Sequence, residues 1–577
     1  MTRVQRLALI LAFPSCLGVM PGCLGAGQLN DQETPTPPVE RFVPIELADH
    51  PLFPNDRVLD VSISMDPDDW EALRLQSRSF VGEFAGDCRS APFTSSYTYF
   101  PGDLVVDGQV LSNIGLRKKG FIGSQSITKP SLRLNLDEYV EGAELGGVDN
   151  ITLNNAVQDP ALLRQCLVYE LFRQAGLPAS RCGFARVEVN GEDLGVYAHV
   201  EPVKRSFLRE RFGNDDGDLY EGTLSDVDSG WVDTFDAKTG DTDPNLQPLR
   251  ELTDDLAEGE SLEGVLDAHI DLDRFLTFWA METWVGHWDG YAGNQNNFFM
   301  YRDPAQGRLV FLPWGTDGTL RASGEGRSGH FSTGLIANKI LSAPSLRDRY
   351  LSRVEAVGAE VWREEDILGE IARMETLIEA QLGALTPFGA INEVRDFVED
   401  QRTQISDASA ESGPFRAPFC LNEFGTLNAT FETTWGSSQG GFDGIWDAGT
   451  LDLEIAWDGE LVPFVATGVM AGPTEPGSTA TSVVMAGEYG PPDGPEYLIP
   501  FTEFRNEDGL SGAPLPIGQA GGANAGLMYS GPGSNYEAVQ AAMLYGGSLS
   551  FELFEPTPGA AVRGTWSTGL FGWSEVQ

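Results

Sequence analysis

The chain has 577 residues, which is more than one hydrophobic core usually organises, so we expect two folded domains after a processed leader. Its 85 Asp and Glu residues outnumber 38 Lys and Arg residues and give a formal net charge of -47. Such a negative field repels phosphate backbones and anionic lipid head groups, which argues against nucleic acid as a partner. The acidity itself indicates a soluble exported protein rather than a specific cation-binding role.

The first residues have the pattern of an export signal. Arg3 and Arg6 precede an apolar run from Leu7 to Phe13 that is too short to span a bilayer stably. We therefore predict a signal peptide of the lipoprotein type over residues 1–22.

A cysteine follows a small residue at the end of this leader. Gly22-Cys23 resembles a lipoprotein-processing site, so we predict lipidation at Cys23, with plain secretory cleavage as the alternative. Residues 23–44 are rich in Pro, Thr and Glu and lack an apolar period, which predicts a disordered tether. We expect an outer-membrane or surface lipoprotein of the cell envelope, or a secreted protein, whose only membrane contact is the N-terminal lipid anchor.

Four cysteines lie beyond the leader, at Cys88, Cys166, Cys182 and Cys420. An even number in an oxidising compartment indicates two disulfides, for which three connectivities are available. Because Cys166 and Cys182 flank one predicted helix and the strand after it, we expect these two to pair. Buried thiols without disulfides are the alternative.

The first part of the chain is rich in predicted strands. Alternation of apolar and polar residues predicts a strand at Val58–Ser64, and acidic helix-start residues predict a helix at Asp66–Leu75. A second strand is predicted at Asp103–Val110. Apolar residues at helical spacing then predict a helix over residues 161–175. Two strands joined by an Asn-Gly turn predict a hairpin that ends at Val200.

The later part of the chain is rich in predicted helices. Residues 214–261 are acidic and predict a loop, whereas helices are predicted within 273–285, 345–384 and 391–405. After Cys420 the content of Gly, Thr, Ser and Pro rises and short alternating segments appear, so a separate all-β, sandwich-like domain is predicted over residues 421–577.

Phosphoryl transfer requires a cation on the nucleotide phosphates, oxygen ligands for Mg²⁺, and a carboxylate that accepts the proton of the substrate. Asp289 and Asn294 have the D-x-x-x-x-N spacing of a protein-kinase catalytic loop, and His287 begins an H-W-D sequence. This spacing alone is weak, because it occurs by chance in most large proteins.

Two further segments supply the remaining groups. A short strand at Arg308–Leu312 leads to Asp317, which is placed to bind Mg²⁺, although the turn-forming residues around it also fit a simple backbone turn. Residues 115–134 combine glycines with Ser124 and Lys129, a composition that suits anion binding. A solvated basic turn that includes Arg117–Lys119 is the alternative.

These segments occur in the order, and at about the distances, of the CotH (spore coat protein H) kinase family, which the chain therefore resembles over roughly 350 residues. The segments that carry the resemblance are LRKKGFIGSQSITKPSLRLNL, ITLNNAVQDPALLRQCLVYELFRQAGLPA, VEVNGEDLGVYAHVEPVKRSFL, WDGYAGNQNNFFMY with FLPWGTD, and NKILSAPSLRDRYLSRV.

The resemblance implies an α+β fold, with an atypical bilobal protein-kinase-like domain over residues 45–410 that binds ATP and Mg²⁺ or Mn²⁺ between its lobes. It implies a kinase acting on Ser or Thr of exported or cell-surface proteins, which include the protein itself. The alternative is a catalytically inert surface-binding or structural protein. Two facts favour the alternative: free ATP is scarce outside the inner membrane, and Gly315 stands where the family usually has a carboxylate.

The resemblance also implies roles for single residues. Asp289 is the implied catalytic residue, and Asn294 and Asp317 are the implied metal ligands, with Asn297 as a second polar candidate.

The nucleotide ligands implied by the resemblance are in the first half of the chain. Lys129, with Ser124 in the glycine-rich segment before it, would hold the phosphates. Glu201, which follows the second hairpin strand, would contact the base or the ribose.

Overall fold

The computed structural model describes residues 42–93, 95–239, 242–258, 261–321, 329–410, 419–440, 445, 448–475, 478–489, 496–518, 522–531 and 539–575. The predicted signal peptide, the lipidation at Cys23 and the predicted tether up to residue 41 lie outside these residues. Among the described residues, none of the helices combines the length and the apolar character needed to cross a bilayer.

The chain forms two compact units. The barrel unit comprises Pro38–Gln76 and Arg89–Pro418, and the sheet unit comprises Ser77–Cys88 and Phe419–Gln577. Both α-helices and strands build the barrel unit, whereas the sheet unit is rich in β-structure. The protein therefore has a mixed α and β architecture with a β-rich C-terminal region.

Seven strands of the barrel unit close into a barrel in the order β1-β2-β3-β4-β5-β7-β6, closed by parallel pairing of β6 with β1. The strands are β1 Leu59–Met65, β2 Phe100–Val106, β3 Gln109–Lys119, β4 Ser131–Asn135, β5 Asn150–Asn154, β6 Cys182–Val189 and β7 Glu192–Val200. Alternate residues such as Val61 and Ile63 are buried in the barrel core, as the period of a strand requires. The residues between them point to the outer face of the barrel.

A four-stranded sheet in the order β11-β10-β8-β9 forms the second layer of this unit. Its strands are β8 Leu219–Gly222, β9 Asp236–Ala237, β10 Phe298–Asp303 and β11 Arg308–Pro313. The α-helices within the described residues are α1 Pro67–Leu75, α2 Phe80–Phe84, α3 Arg164–Gln174, α4 Arg205–Phe212, α5 Gln247–Glu258, α6 Leu262–His269, α7 Leu272–Val285, α8 Tyr291–Asn294, α9 Leu335–Ser342, α10 Pro344–Glu360, α11 Glu364–Leu382, α12 Phe388–Asp407 and α13 Asn506–Leu510.

Helix α7 is the centre of the helical part of the barrel unit, since almost all of its residues are buried. Trp279 stacks on Tyr350 of α10 with ring centroids 3.6 Å apart. Trp284 donates a hydrogen bond to the carbonyl of Val354 at 2.9 Å. This packing fixes the C-terminal end of α7, from which the candidate site begins.

The prediction of a loop over residues 214–261 is wrong in part, because this segment contains β8 and α5. Leu249, Leu252 and Leu256 recur at helical spacing and are buried, with acidic residues on the opposite face of the helix. The sequence analysis missed this helix because the segment as a whole is acidic and its apolar period covers only three leucines.

One continuous 10-stranded sheet forms the sheet unit, in the order β14-β13-β12-β21-β20-β19-β17-β16-β15 with β18 paired to β20. Its strands are β12 Phe419–Thr434, β13 Thr450–Trp457, β14 Glu460–Leu461, β15 Phe464–Pro473, β16 Ala480–Tyr489, β17 Glu496–Arg505, β18 Leu515–Pro516, β19 Asn524–Ser530, β20 Val539–Leu553 and β21 Ala561–Glu575. The sheet curls back on itself, so that Trp435 after β12 bridges Ala471 on the edge strand β15. The two layers of the predicted sandwich are thus parts of a single sheet.

Both cysteine pairs form disulfides. Cys166 on α3 is bonded to Cys182 at the start of β6, within the barrel unit. Cys88 is bonded to Cys420 on β12, within the sheet unit and across 332 residues of sequence. The second bond holds the short segment Ser77–Cys88 against a sheet that the chain builds much later.

Replacing both Cys88 and Cys420 by Ser is expected to lower the stability of the sheet unit by about 2–5 kcal/mol, because the cross-link restricts the unfolded chain. Thermal unfolding of the non-reduced protein measures the effect, with the reduced parent as the control. An unchanged midpoint in the double variant, with the Cys88–Cys420 bond found in the parent by peptide mapping, contradicts this expectation.

Candidate functional site

The loop that carries Asp289 is held by a buried carboxylate. Helix α7 ends at Val285 and is capped by Gly286. Glu282, which is fully buried in its last turn, accepts hydrogen bonds from the backbone amides of Tyr291 at 2.9 Å and Ala292 at 3.0 Å. A Cβ at Gly290 would lie 2.1 Å from the Glu282 Oε1 atom, so only glycine fits there. The loop after α7 is therefore tied to the core on both sides of Asp289.

A second buried carboxylate supports the same loop. The Tyr291 hydroxyl donates to Asp226 at 3.1 Å, and Asp226 also accepts the backbone amide of Leu335 at the start of α9 at 2.7 Å. Burial raises the pKa of Asp226 to about 6. Sequence reasoning missed Glu282 and Asp226, because a single acidic residue in a segment of mixed composition carries no spacing signal.

Three asparagine amides orient the Asp289 carboxylate. Asn294 and Asn296 donate to its Oδ1 atom at 2.7 Å and 3.2 Å, and Asn297 donates to its Oδ2 atom at 2.7 Å. Burial raises the pKa of Asp289, whereas these amide donors and His287 act in the opposite direction. Asp289 is thus an oriented carboxylate of enhanced basicity.

Asp317 lies in a turn, Thr316–Gly318, directly after β11. Burial raises the pKa of Asp317 to about 6, and the charges of Asp159 and Asp289 raise it further while Lys119 lowers it. Asp289 and Lys119 thus both lie close enough to Asp317 for their charges to act on it. The nucleotide-binding role expected for Lys129 stays a prediction.

Lys119 ends strand β3 and faces this site. Its ammonium donates a hydrogen bond to Asn154 Oδ1 and lies 5.8 Å from the centroid of the Trp314 ring. Burial lowers the pKa of Lys119 to about 8, and Asp317 opposes this shift. Asn154 in turn donates to Gln165 on α3 at 2.8 Å, so the barrel end and the helix are joined behind the lysine.

Lys129 and Ser124 make different contacts. The Lys129 ammonium donates to the carbonyl of Val196 at 2.8 Å and lies 4.9 Å from the Tyr197 ring centroid. The backbone carbonyl of Ser124 accepts the amide of Asn155 at 3.0 Å, which orders the glycine-rich segment. These contacts place Lys129 against β7.

The carboxylate of Glu201 is part of a buried ion-pair cluster. Arg181 donates to its Oε1 atom at 3.0 Å, and Arg211 donates to its Oε2 atom at 2.6 Å. Glu210 completes the cluster at 3.0 Å from Arg211. Both carboxylate oxygens of Glu201 accept hydrogen bonds from these arginines. Because Arg211 lies on α4, Glu201 links the end of β7 to that helix.

Gly315 and Asn297 fit together. Gly315 has φ of +51°, and a Cβ at this position would lie 2.3 Å from Asn297 Oδ1. Asn297, which binds Asp289, therefore fills the space that a side chain at position 315 would need. A carboxylate side chain at position 315 would therefore collide with the asparagine that binds Asp289.

The donors of the site suit a divalent cation of the Mg²⁺ or Mn²⁺ type. Asp317 and Asp289 are carboxylates whose charges disfavour each other, and the side-chain amide of Asn294 is hydrogen-bonded to Asp289. Such hard oxygen donors are those that Mg²⁺ prefers. Within the described ranges, no group of three or more His, Cys, Asp or Glu side chains is arranged around a metal position, so a cation here would need amide, water or phosphate oxygens as further ligands.

Part of the chain is similar in sequence to known proteins. Residues 116–394 match the family model described as CotH kinase protein. Similar proteins are the inner spore coat protein H of Bacillus subtilis, 26% identical over 190 residues, and invasin CotH3 of Rhizopus delemar, 25% identical over 194 residues. The spore coat protein homolog 1 of Rhizopus delemar is 23% identical over 246 residues.

These similarities cover only part of each protein. The matches take in 30%, 30% and 38% of this chain, and 50%, 32% and 40% of the respective relatives. The chain thus spans about half or less of the length of the curated relatives it matches. The activity, substrates and partners of the whole protein are therefore proposals.

Glu201→Gln is expected to destabilise the barrel unit by about 3 kcal/mol or more, because it leaves buried Arg181 and Arg211 without their shared charge. Urea unfolding measures the loss, and Glu210→Gln, whose side chain is 38% exposed, is a control with a smaller expected loss. Unchanged stability of Glu201→Gln together with weaker nucleotide binding would contradict this expectation and support a nucleotide-binding role for Glu201.

Asp317→Asn is expected to stabilise the cation-free protein at pH 8 by about 2–3 kcal/mol, because it removes a charge whose burial raises the pKa to about 6. A carboxyl whose pKa is raised in the folded protein contributes its full stability only below its ordinary pKa of 3.8, and loses it as the pH rises from there to about 6. The advantage of the variant should therefore shrink as the pH falls to 5. Thermal unfolding at both pH values tests this, and a pH-independent difference would contradict it.

Proposed function

We propose that the barrel unit is an atypical bilobal protein-kinase-like domain that transfers the γ-phosphoryl group of ATP to Ser or Thr of exported or cell-surface proteins. The observation that carries the proposal is that Lys119, 5.8 Å from the Trp314 ring, and Asp289, held by Asn297 against Gly315, both lie beside the segment that leads to Asp317. Lys119 comes from the barrel, whereas both carboxylates come from the part built on α7 and the four-stranded sheet. The barrel and this second part are the two proposed lobes.

In the proposed reaction the acceptor hydroxyl oxygen forms a bond to the γ-phosphorus, and the bond from that phosphorus to the bridging oxygen of ADP breaks. Asp289 accepts the hydroxyl proton, and ADP leaves with the electron pair. The amides of Asn294, Asn296 and Asn297 keep the accepting carboxylate oriented throughout. Mg²⁺ or Mn²⁺ held by Asp317 and Asn294 would neutralise the phosphate oxygens, and Lys119 would bind them directly.

The proposed location is the cell envelope or its outer surface. The relatives in the comparisons are named as spore coat proteins and invasins, names that fit proteins exposed to the exterior. We propose lipid attachment at Cys23 and an exported protein, or the chain itself, as the phosphate acceptor. This assignment rests on those names and on the leader sequence.

A second candidate function is a catalytically inert surface-binding protein on the same scaffold. The arrangement of Gly315 against Asn297 favours it, since a carboxylate that the family usually has at that position is absent. The invasin names of several relatives also fit a binding role. An assay of phosphoryl transfer separates the two candidates.

Purified protein from residue 24 onward, incubated with Mg²⁺ or Mn²⁺ and γ-labelled ATP, is expected to label itself or a generic protein substrate. Asp289→Asn removes the proton acceptor and should reduce the label at least about 100-fold, and Asp317→Asn should reduce it to a similar level. Lys119→Met should also lose the label, whereas Lys129→Met, the matched lysine control, should retain it in its folded fraction.

The two lysine variants decide which lysine serves the phosphates. Loss of label in Lys129→Met with retention in Lys119→Met would contradict the assignment of Lys119. No label on any protein, together with no calorimetric ATP binding to the parent, would rule out the kinase and leave the binding protein.

A further inference from the structure

The first turn of helix α3 contacts both halves of the candidate site. Gln165 in this turn accepts a hydrogen bond from the side-chain amide of Asn154 at 2.8 Å, and Asn154 accepts one from the ammonium of Lys119. The backbone carbonyl of Gln165 accepts a hydrogen bond from the hydroxyl of Thr316 at 3.4 Å, directly before Asp317. A displacement of this turn would therefore reach the lysine and the carboxylate together.

The start of α3 has weak local support. Leu163 occupies the N-cap position without a side-chain hydrogen bond to the helix, and Leu162 before it has a φ of +67°. The buried carboxylate of Asp159 accepts the backbone amide of Arg164 at 2.8 Å and pairs with the guanidinium of the same residue. The position of the first turn therefore depends on bonds to residues outside the helix.

One of those bonds is covalent. Cys166, the residue after Gln165, is joined by a disulfide to Cys182 at the start of β6. Cys166 is buried, whereas Cys182 is half-buried and is therefore the sulfur that an external thiolate reaches more readily. Disulfides persist in an oxidising compartment and are reduced by thiols in a reducing one. The bond beside Gln165 is thus present or absent according to the surroundings of the protein.

Reduction of this bond changes the geometry of the first turn. A thiolate of a dithiol reductant attacks Sγ of Cys182, and Cys166 leaves as a thiolate; the second thiol of the reductant then releases Cys182. The reductant supplies two electrons and becomes a disulfide, and the two protein thiolates take up protons from water. Two thiols cannot stay as close as two bonded sulfur atoms, so α3 and β6 must separate locally by about 1 Å or more.

We infer that the Cys166–Cys182 disulfide is a redox switch of the candidate site, which is assembled only while the bond is intact. Gln165 is the positioning residue that passes the displacement to Asn154 and Thr316. A misplacement of about 1 Å at reacting groups lowers a rate by as much as about 100-fold. Because the apolar face of α3 stays in the core, the reduced protein is expected to remain folded. The inference rests on the proposed function for the activity that is switched, and it makes an exported chain active only after oxidation.

The second disulfide provides a matched background for the test. In protein from residue 24 onward that carries Cys88→Ser and Cys420→Ser, the bond at Cys166 is the remaining disulfide, so a dithiol acts on it alone. Reduction is expected to lower kcat/KM for ATP at least about tenfold and to raise the KM. A loss of folded molecules would instead lower only the apparent kcat. Reoxidation should restore both values.

Three further variants locate the path of the effect. Cys166→Ala with Cys182→Ala should have the low kcat/KM without a reductant and should not respond to one. Gln165→Ala keeps both disulfides and should reproduce the raised KM, because it removes the link to Asn154. Gln174→Ala, at the other end of the same helix, removes only a contact with the neighbouring turn and should keep the parental values.

Hydrogen exchange provides a readout that requires no activity. Reduction is expected to accelerate exchange of the backbone amides of residues 164–169 and of Thr319, whose amide donates to the carbonyl of Thr316 at 3.4 Å, while α10 is unchanged. Acceleration confined to α3, or an unchanged KM after complete reduction, would overturn the switch and leave the kinase standing. Absence of label on any protein with the oxidised parent would defeat the kinase instead, and exchange at Thr319 would then decide whether the bond positions the site.

Discussion

The candidate site depends on the carboxylate of Glu282, which is buried at the end of α7 and binds two successive backbone amides of the next turn. The price of burying this charge is offset by those amide donors, a form of charge-assisted hydrogen bonding that is stronger in a low dielectric. Because α7 is packed on nearly all sides, the turn that is hydrogen-bonded to it is held in a fixed position against the core. The three asparagines that bind Asp289 follow directly from that turn, so their positions are set by the same constraint.

The site gathers charge that burial opposes. Asp317 and Lys119 have pKa values shifted toward neutrality, and each partly supports the charged form of the other. Groups that destabilise a fold and lie together in one place are characteristic of functional sites, since structure alone would not retain them. By contrast, the charges of Glu201, Arg181 and Arg211 are paired with one another, which is typical of a structural cluster.

Sequence reasoning was most successful where the signal was periodic. The strands near Val58–Ser64, the hairpin that ends at Val200 and the helix of residues 161–175 coincide with β1, β6–β7 and α3, because alternation and turn chemistry are local properties. The CotH family resemblance is confirmed for residues 116–394. The spacing of Asp289 and Asn294 also corresponds to a direct contact, since one side chain binds the other.

The contacts of Lys119, Lys129 and Glu201 could not be predicted in this way. Lys119 and Lys129 flank the same glycine-rich segment, and only the path of that segment decides which ammonium turns toward Asp317 and which toward Val196. Glu201 ends a strand as expected, but its partners Arg181 and Arg211 come from other elements, and such distant pairing leaves no trace in local composition. For the same reason the sequence showed only that a carboxylate is missing at Gly315, and not that Asn297 occupies the space of a side chain there.

The Cys88–Cys420 bond means that domain boundaries in sequence and in space do not coincide. Residues Ser77–Cys88 precede most of the barrel unit but belong to the sheet unit, so no single cut in the chain separates the two. A protein ended at residue 410 would carry the unpaired thiol of Cys88 and a short helix, α2, deprived of the strands it packs against. Proteolysis between residues 89 and 419 would leave both fragments covalently joined until a reductant is added, so a nicked molecule would migrate as intact on a non-reducing gel.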